Sequence, residues 1–235
     1  MFGTRITRRT TTSQQGTWEV VEKNASKKRF GEYLRATGYN GDRALILYEW
    51  NTQISAAFWG QLGHIEVGLR NAISARMSLF CERAYKETDW IFVAKGKRML
   101  ATSELNRLFE AERRVESNRK DISFDQIISE LPLGFWATLL GRRYRFLWPE
   151  LAGGFLGLTS RNPNQLVSLV QRARWLRNRI GHHHRIWNLD LESYHREILN
   201  VARIIDPDFE GWLASTSSVP ELLGRRPECV APKNG

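Results

Sequence analysis

The chain of 235 residues carries 35 Lys and Arg against 25 Asp and Glu, a formal net charge of +10, with 42% hydrophobic and 26% charged side chains. That length suits one sizeable domain or two small ones and is ample for a core, and two cysteines, Cys81 and Cys229, exclude both a disulfide scaffold and a cysteine-built zinc module. No apolar run approaches the ~20 residues that cross a bilayer, so the expectation is a cytoplasmic protein with no membrane contact.

The cationic surplus is 27 Arg to 8 Lys. It favours RNA or another polyanion through long-range attraction and counterion release, although no Lys/Arg run is long enough to mark a dedicated patch. Residues 1–28 are polar and rich in Thr, Ser, Lys and Arg, the composition of a flexible basic arm. A helical domain is expected over 29–224 and a flexible tail over 225–235.

Within the domain, Ile54, Phe58, Leu62, Ile65, Leu69, Ile73, Met77 and Phe80 recur every three or four positions. The spacing predicts a helix from about Asp42 towards Phe80, with Gly60 and Gly63 as candidate break points. Asp89 to Met99 reads as a connection, followed by a helix to Ser117 that turns Leu100, Leu105, Leu108 and Phe109 inward. Ser123 and Gln126 have capping-box spacing ahead of Ile127 and Ile128. Pro132 and Gly134 interrupt that short helix, and Phe135 to Trp148 reads as one helix stopped by Pro149. Asn162 and Pro163 pair a capping residue with Pro at the first helical position. The stripe Leu166, Val170, Ala173, Leu176, Ile180 carries the helix they open to Gly181. A last helix spans about Leu191 to Ile205, ended by Pro207, with Trp212 and Leu213 packing a terminal turn. The fold class is all-α, a single-domain bundle.

The densest polar chemistry is the segment Leu176-Arg-Asn-Arg-Ile-Gly-His-His-His-Arg-Ile-Trp-Asn188. On a regular helix five residues advance about 7.5 Å and turn about 140°, so Arg177 and His182 do not share a face, whereas His184 lies within about 20° of Arg177. A break at Gly181, or a second copy related by a two-fold axis, would let Arg177 and His182 converge. Cleavage of a phosphodiester by its own ribose 2′-OH needs a proton acceptor, a donor for the departing 5′-oxygen, and positive charge at phosphorus. Imidazole supplies the first two near neutral pH; the guanidinium fork supplies the third. Arg172, Arg174, Arg179 and Arg185 flank the segment as candidate RNA-binding residues. Adjacent helical side chains point about 100° apart, so the three imidazoles in a row do not chelate one ion, and neither a metal nor a cofactor is expected. A purely structural reading sets Arg177 against Glu66 inside the bundle and Asn178 as a cap.

The pattern Arg177-Asn178-x-x-x-His182-His183-x-Arg185-x-Trp187-Asn188 resembles the signature of the Abi-like (abortive infection) proteins of the HEPN superfamily. Tyr48-x-Trp50-Asn51, Phe58-Trp59 and the segment Ile65-Glu66-Val67-Gly68-Leu69-Arg70-Asn71-Ala72-Ile73 resemble the family's first long helix. Leu133-Gly134-Phe135-Trp136 with Tyr144 to Trp148 resembles its middle aromatic segment, so the likeness covers about Asp42 to Trp212. The resemblance implies an up-and-down helical bundle with additional short helices. It implies a homodimer with a composite active site and metal-independent endoribonuclease activity in phage defence or a toxin–antitoxin system, with a cognate antitoxin or phage trigger as further partner. Carried over, Arg177, Asn178 and His182 are the motif residues, His183 the doubled histidine, and Glu66 and Arg70 the polar pair of the first helix. His184 and Arg179 form a second overlay of the same spacing, which leaves the choice of histidine open. The alternative is a non-catalytic RNA- or nucleotide-binding module acting as a defence sensor.

Overall fold

The computed structural model describes residues 17–118, 122–160 and 162–228. Among them the chain is all-α, without a strand, and no helix is long and apolar enough to cross a membrane. Where one domain is expected over 29–224, the described residues group into two compact units, one made of those up to Ile54 together with those from Pro220, the other of those in Ser55–Val219. Local periodicity carries no trace of this, because the first unit is closed from far along the chain. The Trp50 indole donates to the carbonyl of Leu222 at 2.8 Å, and Arg226 lies over the same ring, 5.5 Å from its centroid.

The basic arm expected over 1–28 is corrected for its second half. Residues 1–16 lie outside the described residues, but Thr17–Ala25 is helix α1 and Lys27–Ala36 is α2. One aromatic anchor outweighs the polar composition: the Trp18 ring packs so closely on Gly41 that a Cβ there would lie 2.5 Å from it. Phe30 and Tyr33 are buried and meet Tyr48 edge-on. Of the expected tail, residues 225–228 are described, and Arg226 is held on Trp50; the remainder, Cys229 included, lies outside the described residues.

Helix α3, Gly41–Tyr85, is unbroken through Gly60 and Gly63. A helical Gly costs about 1 kcal/mol against Ala, and the stripe from Ile54 to Met77, fully buried, outweighs two of them. At the end of the stripe Cys81 rather than Phe80 takes the inward position. The stretch read as a connection contains α4, Trp90–Gly96, opened by Asp89, whose carboxylate accepts from the amides of Ile91 and Phe92. In α5, Thr102–Ser117, Leu108 is buried but Phe109 is 47% exposed with Lys95 over its ring, so its inward assignment is corrected. In α6, Phe124–Ser129, Ser123 accepts from the Gln126 amide at 3.3 Å, while the Gln126 side-chain oxygen is buried without a partner: half of the capping box forms.

The single helix read over Phe135 to Trp148 is three elements: α7 (Leu133–Leu139), a 3₁₀ turn (Arg142–Leu147) and α8 (Trp148–Leu151), followed by a second 3₁₀ turn (Ala152–Gly154). Gly141 is extended, and the turn after it delivers the buried Tyr144 hydroxyl to Glu104 at 2.7 Å. Pro149 stands in the first turn of α8, where its missing N–H leaves no gap. Helix α9, Asn164–Gly181, opens as expected, with the Asn162 side chain accepting from the Asn164 amide at 3.0 Å and all five stripe residues buried. Helix α10 is Leu191–Ile205. It is not the last: Pro207–Thr216 forms α11 and Val219–Gly224 forms α12.

Candidate active site at the end of α9

Burial of Leu166, Val170, Ala173, Leu176 and Ile180 fixes the rotation of α9. Arg174, Arg177 and Asn178 are thereby turned towards a side open to solvent. Helix α3 supplies the opposite wall: Trp59, Glu66 and Arg70 lie along one face, seven and four residues apart. The Arg177 guanidinium sits 5.1 Å from the centroid of the Trp59 ring. Its Nε lies 3.9 Å from a Glu66 carboxylate oxygen, with the two side chains 33% and 21% exposed. The other Glu66 oxygen accepts the Leu133 amide at 2.7 Å. Glu66 thus stands beside Arg177 as a charge partner without hydrogen-bonding it, since 3.9 Å is beyond a hydrogen bond. Trp59, 44% exposed, also receives Gly181, where a Cβ would stand in ordinary contact at 3.5 Å.

Gly181 is the last residue of the helix and does not bend it. His182 caps it in the bridge region, φ −92° and ψ 13°, and His183 adopts the left-handed conformation, φ 55°. The His184 amide donates to Arg179 O and the His183 amide to Ile180 O, both at 2.8 Å. This is the six-to-one and five-to-two pair of a Schellman turn, with His at the position where glycine is usual. The left-handed residue folds the chain back so that the rings of His182 and His184 meet edge-on, 6.2 Å between centroids. All three imidazoles are exposed.

The sequence-derived residues therefore fall into separate groups. Arg177 joins Glu66 and Trp59, whereas His182 joins His184. Among the described residues no hydrogen bond links Arg177 to His182, in keeping with the wide angle expected of that spacing. The Glu66–Arg70 ion pair does not form; Glu66 serves Leu133 and Arg177, and Arg70 lies at 3.5 Å from Asn71 Oδ1. Of the flanking arginines, Arg172 is held by Glu197 at 2.6 Å and lies over Tyr194. That hydrogen bond pushes its guanidinium pKa up against the effect of burial. Arg179 lies over Trp175 and donates to the carbonyl of Arg185 at 2.7 Å. Arg174 reaches a cavity of about 360 Å³ together with Arg177 and Asn178. A neighbouring groove of about 280 Å³ has Trp59, Glu66, Arg70 and Arg177 among its lining.

Trp59, the aromatic seat of Arg177, and Arg107 and Arg114, which enter the larger cavity from α5, lie outside the sequence-derived set. A signal existed: those two arginines are seven residues apart and so within about 20° on one helical face. Among the described residues no group of three or more His, Cys, Asp or Glu is placed to hold a metal ion. Cys81 is buried, and desolvation, with Asp89 and Glu87 nearby, pushes its thiol up to about 11, which makes it a poor nucleophile. Comparison with protein-family models, curated proteins and solved structures finds no match.

Proposed function

We propose that the chain is a metal-independent endoribonuclease of the HEPN type, acting in phage defence or as a toxin. Arg177 holds the scissile phosphate, His182 transfers the proton, and Asn178 binds or orients beside them. The observation that carries this reading is the presence, within one helix end, of a partly exposed guanidinium and three exposed imidazoles. His183 and His184 are on the same turn. Because Arg177 and His182 diverge on α9, the reaction is assigned to a homodimer in which a second copy contributes the opposing histidine.

The test is cleavage of single-stranded RNA with and without EDTA. The expected result is cleavage in EDTA, leaving a cyclic phosphate and a 5′-hydroxyl, with Arg177→Ala and His182→Ala each slower by about 10²-fold or more at unchanged helicity. Loss of cleavage on chelation that a metal ion restores, or an unaffected Arg177→Ala, overturns the mechanism. A second reading, RNA binding without cleavage, is favoured by the separation of Arg177 from His182. It expects tight binding, no product, and indifference to His182→Ala.

A further inference from the structure

We infer that the 360 Å³ cavity bounded by α5, α7 and α9 is a second phosphate site, taking a backbone phosphate of the RNA strand next to the one assigned to Arg177. Its lining includes four arginines, Arg107, Arg114, Arg174 and Arg177, and one acidic residue, Glu110, with Asn178 beside them; outside that lining Glu130 holds Arg114 and Glu66 stands 3.9 Å from Arg177. The volume falls within the ~300–1,000 Å³ usual for small-ligand clefts, at its lower end, which suits a sugar-phosphate and little more. The inference rests on the RNA-directed reading above.

The cations are placed rather than adrift. Arg114 donates from Nε to a Glu130 carboxylate oxygen at 3.1 Å and from Nη2 to the Glu130 carbonyl at 3.0 Å. The Arg174 stem runs past Gly134, 3.9 Å from where a Cβ would stand. Arg177 lines both this cavity and the groove against α3, so a strand gripped here continues onto the residue assigned to the scissile phosphate. Guanidinium forks match phosphate oxygens and are weakly hydrated, which favours arginine over lysine for this contact. Glu110 repels a bare polyphosphate but accepts a hydrogen bond from a ribose 2′-hydroxyl, the group that separates RNA from DNA. That carboxylate favours RNA over DNA, and the continuity of the cavity with the groove at Arg177 is why the site is assigned to a strand rather than to a free nucleotide.

The experiment measures binding of a single-stranded RNA to the His182→Ala protein across a salt series. Arg107→Gln with Arg174→Gln is set against Arg43→Gln, an exposed arginine elsewhere on α3. The double variant is expected to bind about tenfold or more weakly, and its slope of log K against log salt to fall by about 0.7 per lost contact. Arg43→Gln is expected to leave both unchanged, and the DNA of the same sequence to bind more weakly than the RNA. Unchanged affinity and slope in the double variant, or an equal loss in Arg43→Gln, overturns the site. Inorganic pyrophosphate or ADP binding more tightly than the RNA and displacing it makes this a free-nucleotide site and equally overturns the proposal. The two readings fail separately: cleavage without any effect of the double variant removes only the second site, and cavity-dependent binding with no cleavage removes only the nuclease.

Discussion

Glu104 is a buried carboxylate in a helical core, and its neighbours decide whether it is tolerable. Tyr144 donates to it at 2.7 Å and Ser103 at 2.8 Å, while the Tyr144 oxygen in turn accepts the Ala101 amide at 3.0 Å. Burial works to raise its pKa, but those hydrogen bonds, with Arg107 nearby, outweigh it and hold the carboxyl below its usual range. Tyr144→Phe removes one donor and leaves a buried charge short of a partner, a loss of about 1–3 kcal/mol. Urea unfolding at neutral pH should register it as a lower midpoint at unchanged slope. At this scale the site was half legible. Arg177, Asn178 and the histidines announce themselves by residue type and order. Trp59, Arg107 and Arg114 do not, because each acquires its role from a helix other than its own.

Among elements, the ones that carry their own instructions were readable. Helix α9 has an Asn cap, a Pro and an uninterrupted apolar stripe, and α10 has Asp190 accepting from the Ser193 amide at its start. The stretch from Phe135 to Trp148 was misread as one helix because its apolar residues keep helical spacing while Tyr144 is claimed by α5. Tertiary demand, not propensity, sets that break. The loop around Gly157 is similarly invisible in sequence. The amides of Leu156 and Gly157 take the last carbonyls of α10, Ile205 O at 3.0 Å and Ile204 O at 3.1 Å, groups a helix end otherwise leaves unsatisfied. A Cβ on Gly157 would lie 1.9 Å from Arg203 O, against backbone that cannot step aside. Gly157→Ala should therefore cost about 1–3 kcal/mol or more and lower Tm, with an alanine at the open Gly63 as the control.

For the whole molecule, the informative variable is pH. His195 Nδ1 lies 3.2 Å from Gln61 Oε1, and Gln61 Nε2 donates to Ser217 Oγ at 2.9 Å, so the chain of bonds makes the imidazole a donor at Nδ1. Burial, with the Arg196 charge beside it, holds the His195 pKa below 6.5. The unfolded chain then binds a proton more readily than the folded one, and stability falls as pH drops below about 6.5, down to the folded pKa. Unfolding free energy followed from pH 7 downward should show that decline, and His195→Gln should flatten it. An unchanged profile in that variant removes His195 as the cause. The all-α class was legible from periodicity alone. The two-unit division was not, since it depends on Leu222 and Arg226 returning to Trp50 over a sequence distance that no local pattern spans.

The main-chain hydrogen bonds His182 to Asn178, His183 to Ile180 and His184 to Arg179 that shape the turn at the end of α9 span five residues or fewer. The main-chain frame of the hook bearing the imidazoles is therefore written into a hexapeptide's worth of chain. Its main-chain amides serve the closing carbonyls of the helix. Whatever ligand arrives meets a turn whose shape was settled in advance, and the entropy of ordering it has been spent during folding rather than at the encounter.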